Sequence, residues 1–127
     1  MENKKKRIMI IEDDFFVMDI YNLKLIQSGF DVICASDGKE GAQKLQAEKN
    51  IPDLILLDII MPYLNGIEVL KQIKTDDRLK NIPVLLLTNL SQKKEISEGM
   101  QLGAVDYLIK SHFTPSEVLE KIRVILA

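Results

Sequence analysis

Four places in this 127-residue sequence carry side chains that could do chemistry together: the acidic triplet Glu12-Asp13-Asp14, then Asp58, then Thr88, then Lys110. Each follows a short strand-like run, at 8–11, 54–57, 84–87 and 105–109 respectively, the first three wholly apolar. Carboxylates brought together repel one another and raise each other's pKa unless a cation sits between them or an ammonium beside them. This set offers both remedies. Carboxylate oxygens with few other donors suit a hard cation that keeps several waters, Mg2+ or Mn2+, and Lys110 can supply the ammonium. A carboxylate beside such a cation, a lysine and a hydroxyl is an arrangement for phosphoryl transfer. Asp58 could attack phosphorus as a nucleophile. The cation and Lys110 would neutralise the equatorial oxygens, and Thr88 could donate a hydrogen bond to one of them. Singly these residues say little, because acids are favoured at any helix N-terminus and a strand-end Asp is usually a cap or turn residue. The signal is joint: four strand ends, in sequence order, carry complementary chemistry.

The elements that must position them alternate along the chain. The run 8–11 is followed by a helix that Asp14 can cap and that stops at Gly29, a suitable C′ residue. A strand over 31–35 leads through Ser36-Asp37-Gly38 into a helix to about Ala47. Pro52-Asp53 opens the strand at 54–57. After Asp58, Met61-Pro62-Tyr63-Leu64-Asn65-Gly66 reads as a loop, and a helix follows over 67–74. Pro83 opens the strand at 84–87, Ser91 can cap the next helix, and that helix ends near Leu102-Gly103. After the strand at 105–109, Thr114-Pro115-Ser116-Glu117 reads as a capping box with proline at the first helical position. The runs at 8–11, 54–57 and 84–87 are apolar without alternation, which calls for burial on both sheet faces. The expected fold is α/β: a doubly wound, three-layer sandwich with a five-stranded parallel sheet and right-handed crossovers. Five strands suit the flavodoxin-like order 2-1-3-4-5, in which the first and third strands meet at the switch point and ligands bind beyond the carboxyl ends.

Composition agrees. The length fits one domain spanning 1–127. The chain is 46% apolar and 28% charged, with a net charge of −2, so no basic field points to direct nucleic-acid or membrane binding. The run Lys4-Lys5-Lys6-Arg7 reads as a solvated tail. No apolar run approaches the roughly 20 residues needed to span a bilayer, and Glu12, Asp13 and Asp14 interrupt the first one too early for a signal peptide. A single cysteine, Cys34, forms no internal disulfide and reads as a small hydrophobe, which favours a reducing, cytoplasmic setting. Phe15, Phe16, Val17, Met18, Ile20, Tyr21, Leu23, Leu25 and Ile26 make the first helix more apolar than one buried stripe requires; most of them are expected in the core.

The sequence resembles the receiver domain of two-component response regulators, of the chemotaxis-regulator kind, over essentially its whole length. The resemblance rests on Ile8-Met9-Ile10-Ile11-Glu12-Asp13-Asp14, on the segment from Pro52 to Pro62 around Asp58, on Asn65-Gly66, on Pro83-Val84-Leu85-Leu86-Leu87-Thr88, and on Gly103-Ala104-Val105-Asp106-Tyr107-Leu108-Ile109-Lys110. It implies a phosphorylation-dependent switch that assists its own chemistry and is not an enzyme. Asp58 is then the phospho-acceptor and Asp13 a metal ligand. Glu12 holds the metal directly or through water, the Ile60 carbonyl is a further ligand, and Thr88 and Lys110 contact the phosphoryl group. Tyr107 matches the switch aromatic that turns inward as Thr88 moves. The donor would be a phosphohistidine on a sensor histidine kinase or phosphotransfer protein, or a small acyl phosphate. A few exposed residues of the first helix would form its docking patch. Output is expected through a partner on the switch face near Tyr107, through phosphorelay, or through a domain outside these residues. The chain is expected to be a monomer, with phosphorylation-linked dimerisation as the alternative.

Three departures from the family pattern involve four positions. Ser111 replaces the proline that usually follows the lysine, so a trans peptide and an altered loop through His112 are expected, because a cis bond before a non-proline residue costs about 2.5–4 kcal/mol. Asn89 replaces a small residue after Thr88. Ile60 and Leu90 place apolar groups where the family tunes phosphate lifetime, which implies a long-lived phosphoryl group. His112 reads as a loop residue. Three other readings compete. An aspartate-nucleophile phosphatase would want a second Asp where Ile60 stands and a cap over its substrate. A non-phosphorylated module that keeps only the fold would not need the full acid, Thr and Lys set. A flavin-binding module lacks a phosphate loop after the first strand.

Overall fold

The computed structural model describes residues 5–47, 51–61, 64–89 and 91–127. Five strands, β1 (Arg7–Ile11), β2 (Asp31–Ala35), β3 (Leu54–Asp58), β4 (Val84–Thr88) and β5 (Asp106–Ile109), alternate with five helices, α1 (Phe15–Gln27), α2 (Gly38–Ala47), α3 (Gly66–Thr75), α4 (Lys93–Gln101) and α5 (Pro115–Leu126). All strand pairs are parallel, in the order β2-β1-β3-β4-β5. The expected topology is therefore the observed one, and the order reverses between β1 and β3.

Both sheet faces are buried, for the reason the unbroken aliphatic runs imply. Ile8 and Ile10 of β1, Leu54 and Leu56 of β3, and Leu85 and Leu87 of β4 pack on Met18, Tyr21 and Leu25 of α1 and on Val118, Leu119 and Ile122 of α5. The alternate residues Met9, Ile11, Ile55, Leu57, Val84 and Leu86 face Leu45 of α2, Leu70 and Ile73 of α3, and the partly buried Ile96 of α4. With α1 and α5 on one side and α2, α3 and α4 on the other, the three strands β1, β3 and β4 form the dry centre.

Local signals set several boundaries. Asp14 caps α1, its Oδ1 accepting from the Phe16 and Val17 N–H groups at 2.9 and 3.2 Å. Gly29 follows that helix with φ +94°, a conformation that glycine adopts without steric penalty. Thr114 and Glu117 form the expected capping box, with Pro115 at the start of α5.

Four readings need correction. Most of the apolar residues of α1 are not core: Met18, Tyr21 and Leu25 are buried, while Phe15, Phe16, Ile20, Leu23 and Ile26 are exposed, Phe16 at 83%. A helix lying on one sheet face buries a single stripe, and the other side faces water whatever its side chains. Ser91 does not cap α4; Gln92 occupies that position without a side-chain capping bond. Arg7 is the first residue of β1, not tail, because its N–H donates to Asp53 Oδ2 at 2.8 Å and its carbonyl accepts from Asp53 N–H. Val105 precedes β5, its N–H donating to the Val84 carbonyl at 2.9 Å at the start of the ladder.

Candidate phosphoryl-transfer site

The ladder carries two of the site residues further than the apolar pattern does. Asp58 is the last residue of β3, in register with Leu87, and Thr88 is the last of β4, in register with Ile109. Both therefore stand on rigid backbone. Glu12 leaves β1 with its N–H donating to the Ala35 carbonyl at 3.0 Å. Lys110 follows β5 directly and begins the 3-10 turn Lys110–His112, with all peptides trans among the described residues and His112 exposed.

These strand ends converge. Carboxylate oxygens of Glu12, Asp13 and Asp58 lie within 4.8 Å of one another. Glu12 and Asp58 are buried, at 0% and 4% exposure, while Asp13 is exposed at the mouth. The Lys110 ammonium lies 2.7 Å from Glu12 Oε1 and 3.4 Å from Asp58 Oδ2. The second oxygen of Glu12 accepts from the Asp14 N–H at 3.1 Å, but Oε1 is buried with no hydrogen bond of good geometry, only the ion pair with Lys110. Asp14 itself is spent on the helix cap.

The electrostatics follow from that crowding. Burial, and then the neighbouring Glu12, push the Asp58 carboxyl up to about 8, against the opposing charge of Lys110. Burial alone would lower the Lys110 pKa, yet the carboxylates of Glu12 and Asp58 outweigh it and hold the ammonium more firmly protonated. With all three carboxyls ionised, the cluster carries two negative charges beyond what the Lys110 ammonium balances, which a divalent cation would match. Exposed Asp13 beside buried Glu12 and Asp58 gives such an ion oxygen donors on one side and solvent on the other, the setting a hydrated hard cation prefers.

The backbone around Asp58 is held by close packing. The Gly66 N–H donates to the Ile59 carbonyl at 2.7 Å, and a Cβ on Gly66 would stand 2.2 Å from the Asp58 carbonyl oxygen. Only glycine permits that approach. Ile60 follows with its side chain about half exposed. Leu90 lies outside the described residues, as do Pro62, Tyr63 and Lys4. Thr88 is fully buried and its hydroxyl donates to the Asn89 carbonyl at 3.3 Å. Asn89 is exposed, and its N–H donates to Gln92 Oε1 at 2.8 Å rather than into the site. Tyr107 is exposed at 39%. Two buried neighbours of the site were not expected there from sequence. Tyr21 is buried beneath the site, its phenol raised by burial and lowered in part by Lys110. Gln92 is buried beside Thr88's loop, and a glutamine at a helix start carries no sequence signal for that.

Comparison with known proteins decides the family. Residues 8–123 match the response regulator receiver domain. This chain belongs to the response-regulator receiver family. The receiver is 40% identical over 121 residues to the alkaline phosphatase synthesis transcriptional regulatory protein PhoP of Bacillus subtilis, covering 95% of this chain and 48% of that protein. It thus spans about half the length of the curated relative it matches. Among solved structures it is similar to the chemotaxis response regulator CheY4 of Vibrio cholerae, with a TM-score of 0.88 at 27% identity, covering 97% of this chain and all of that one. It is also similar to the phosphorylated cyanobacterial phytochrome response regulator RcpA, with a TM-score of 0.83 at 30% identity over 96% of this chain and 91% of that one. The receiver is a phosphorylation-dependent signalling switch of the two-component kind, and the phosphatase and pseudo-receiver readings gain no support from these likenesses.

Proposed function

We propose that the 127 residues form one receiver unit that takes a phosphoryl group on Asp58. The observation that carries this is the buried Asp58 carboxylate, 3.4 Å from the Lys110 ammonium and clustered with Glu12 and Asp13. In the transfer, an Asp58 oxygen bonds to phosphorus as the donor's P–N or P–O bond breaks, and the donor leaves with that electron pair. Lys110 faces the negative charge that gathers on the equatorial oxygens, and the Thr88 hydroxyl donates a hydrogen bond to one of them. Glu12, Asp13, Asp58 and the Ile60 carbonyl would hold Mg2+ or Mn2+, which supplies charge neutralisation at the phosphoryl oxygens when bound. The donor set fits: hard oxygens, a buried carboxylate oxygen with only an ion pair, and an open solvent side. The phosphorylated relative RcpA supports the reading.

The donor is a phosphohistidine on a sensor kinase or phosphotransfer protein, docking on the exposed Phe15, Phe16, Ile20 and Leu23 of α1, the helix that leads out of the acidic triplet. The readout passes through Thr88 and the exposed Tyr107 to a downstream partner. A cytoplasmic location accords with a helix set in which none is long and apolar enough to cross a membrane, among the described residues, and with an unpaired, half-buried Cys34. The test is intact mass after incubation with acetyl phosphate, with and without Mg2+, on the wild-type chain and Asp58→Ala. A Mg2+-dependent gain of one phosphoryl group that disappears in the variant is expected. No gain in the wild type under either condition would overturn the reading.

A further inference from the structure

The buried polar side chains among the described residues are Glu12, Asp58, Thr88 and Gln92. The first three belong to the site. Gln92 precedes α4 at its N-cap position, yet its side chain makes no capping bond. It turns back instead. Its Oε1 accepts from the Asn89 N–H at 2.8 Å. Its own N–H donates to the Asn89 carbonyl at 3.2 Å. That same carbonyl accepts the Thr88 hydroxyl at 3.3 Å. One residue therefore clasps both main-chain polar groups of Asn89, and Thr88's hydroxyl is parked on the clasped carbonyl. The Gln92 carbonyl accepts from the Ile96 N–H at 2.9 Å, which ties the clasp to the first turn of α4.

We infer that Gln92 is a positioning residue that acts through Asn89 to set where the Thr88 hydroxyl stands, and so biases the switch toward its unphosphorylated arrangement. The inference rests on the reading that Thr88 donates to the phosphoryl group. A hydroxyl has one proton to donate. To donate to a phosphoryl oxygen instead, the Thr88 hydroxyl must give up the Asn89 carbonyl, and on this inference the Thr88–Asn89 backbone shifts with it. The clasp holds that backbone in place, so it favours one of two states in the way any state-specific contact does. Loosening it should favour the phosphoryl-bound state by about two- to tenfold, the range of one net hydrogen bond.

The experiment titrates the full chain with beryllofluoride, a phosphoryl mimic, in saturating Mg2+. Gln92→Leu and Gln92→Met keep the side chain's bulk and lose its acceptor; either one suffices if the other fails to fold. Both are expected to bind beryllofluoride two- to tenfold more tightly than wild type. Gln92→Glu keeps an acceptor oxygen at the same reach and returns the affinity toward wild type. In a Thr88→Ala background, Gln92→Leu produces no gain. Unchanged or weaker binding in Gln92→Leu and Gln92→Met, or an equal gain in the Thr88→Ala background, overturns the inference. If Thr88→Ala alone binds as wild type, it is the Thr88 reading that fails.

Discussion

The ammonium of Lys110 lies 2.7 Å from Oε1 of Glu12, a side chain with no exposed surface. That pair fixes the lysine at the floor of the site, and Asp58 stands within 3.4 Å of the same nitrogen. A charge held in place before reaction needs no reorganisation when the phosphoryl group arrives, and preorganised charge is worth most where water is excluded. Lys110→Ala should therefore slow labelling by acetyl phosphate at least tenfold at saturating Mg2+. Initial rates by intact mass would measure this, and a rate equal to wild type would remove Lys110 from the transfer.

The raised Asp58 pKa makes stability depend on pH. In the folded chain the group titrates at about 8, well above its ordinary value of 3.8. Between those values the folded state binds more protons than the unfolded state, so this group's contribution to stability falls as pH rises across the window. Asp58→Asn removes the ionisation. With EDTA present, the variant should gain on wild type in urea unfolding as pH rises from 5 to 8.5, by about 1–3 kcal/mol at the upper end, less than the full shift because the site relaxes and admits water. A difference independent of pH would show that Asp58 ionises freely. Mg2+ binding to the wild type should correspondingly release protons and weaken as pH falls below about 8.

Much of this was legible in the sequence because the sheet centre has only one solution. Unbroken aliphatic runs at β1, β3 and β4 demand two covered faces, and parallel order then brings Glu12, Asp58, Thr88 and Lys110 to one edge. What escaped was whatever depends on which way a side chain turns. Ser91 has the better capping chemistry, yet the backbone places Gln92 at the cap. The α1 residues Phe16 and Leu23 are as apolar as Leu25, but lie on the far side of the helix.

That far side gives a stability contrast. Leu25→Ala opens the core and should cost about 2–5 kcal/mol. Phe16→Ala and Leu23→Ala should fall within about 0.5 kcal/mol of wild type. Urea midpoints would separate the two classes. If these residues dock the donor, the same exposed variants slow transfer from a phosphohistidine protein more than transfer from acetyl phosphate.

Gly66 offers a steric test of the strand end. A Cβ there meets the Asp58 carbonyl oxygen at 2.2 Å, and backbone cannot yield as a flexible side chain can. Gly66→Ala should destabilise the chain by about 1–3 kcal/mol and weaken Mg2+ binding, because Asp58 and Ile60 shift together. Calorimetric titration with Mg2+ at a temperature where the variant remains folded would read the second effect; unchanged affinity would mean the site tolerates the displacement.

If Asp58 carries the phosphoryl group, Ile60 would bear on how long it lasts. Its side chain is half exposed beside Asp58 and offers no group to orient an attacking water. The phosphorylated chain should survive for minutes or longer without a phosphatase, and Ile60→Asn should shorten that lifetime severalfold. Loss of the phosphoryl group from wild type within seconds would contradict this.

The most direct test of the central claim is chemical location of the phosphoryl group. The chain is labelled with acetyl phosphate and Mg2+, reduced with borohydride, which converts an aspartyl phosphate to homoserine, and sequenced by peptide mass spectrometry. Homoserine at position 58, absent when Mg2+ is withheld, is the expected result. Reduction at another carboxylate such as Asp13, or none in a chain whose mass shows the phosphoryl group, would contradict the assignment of Asp58.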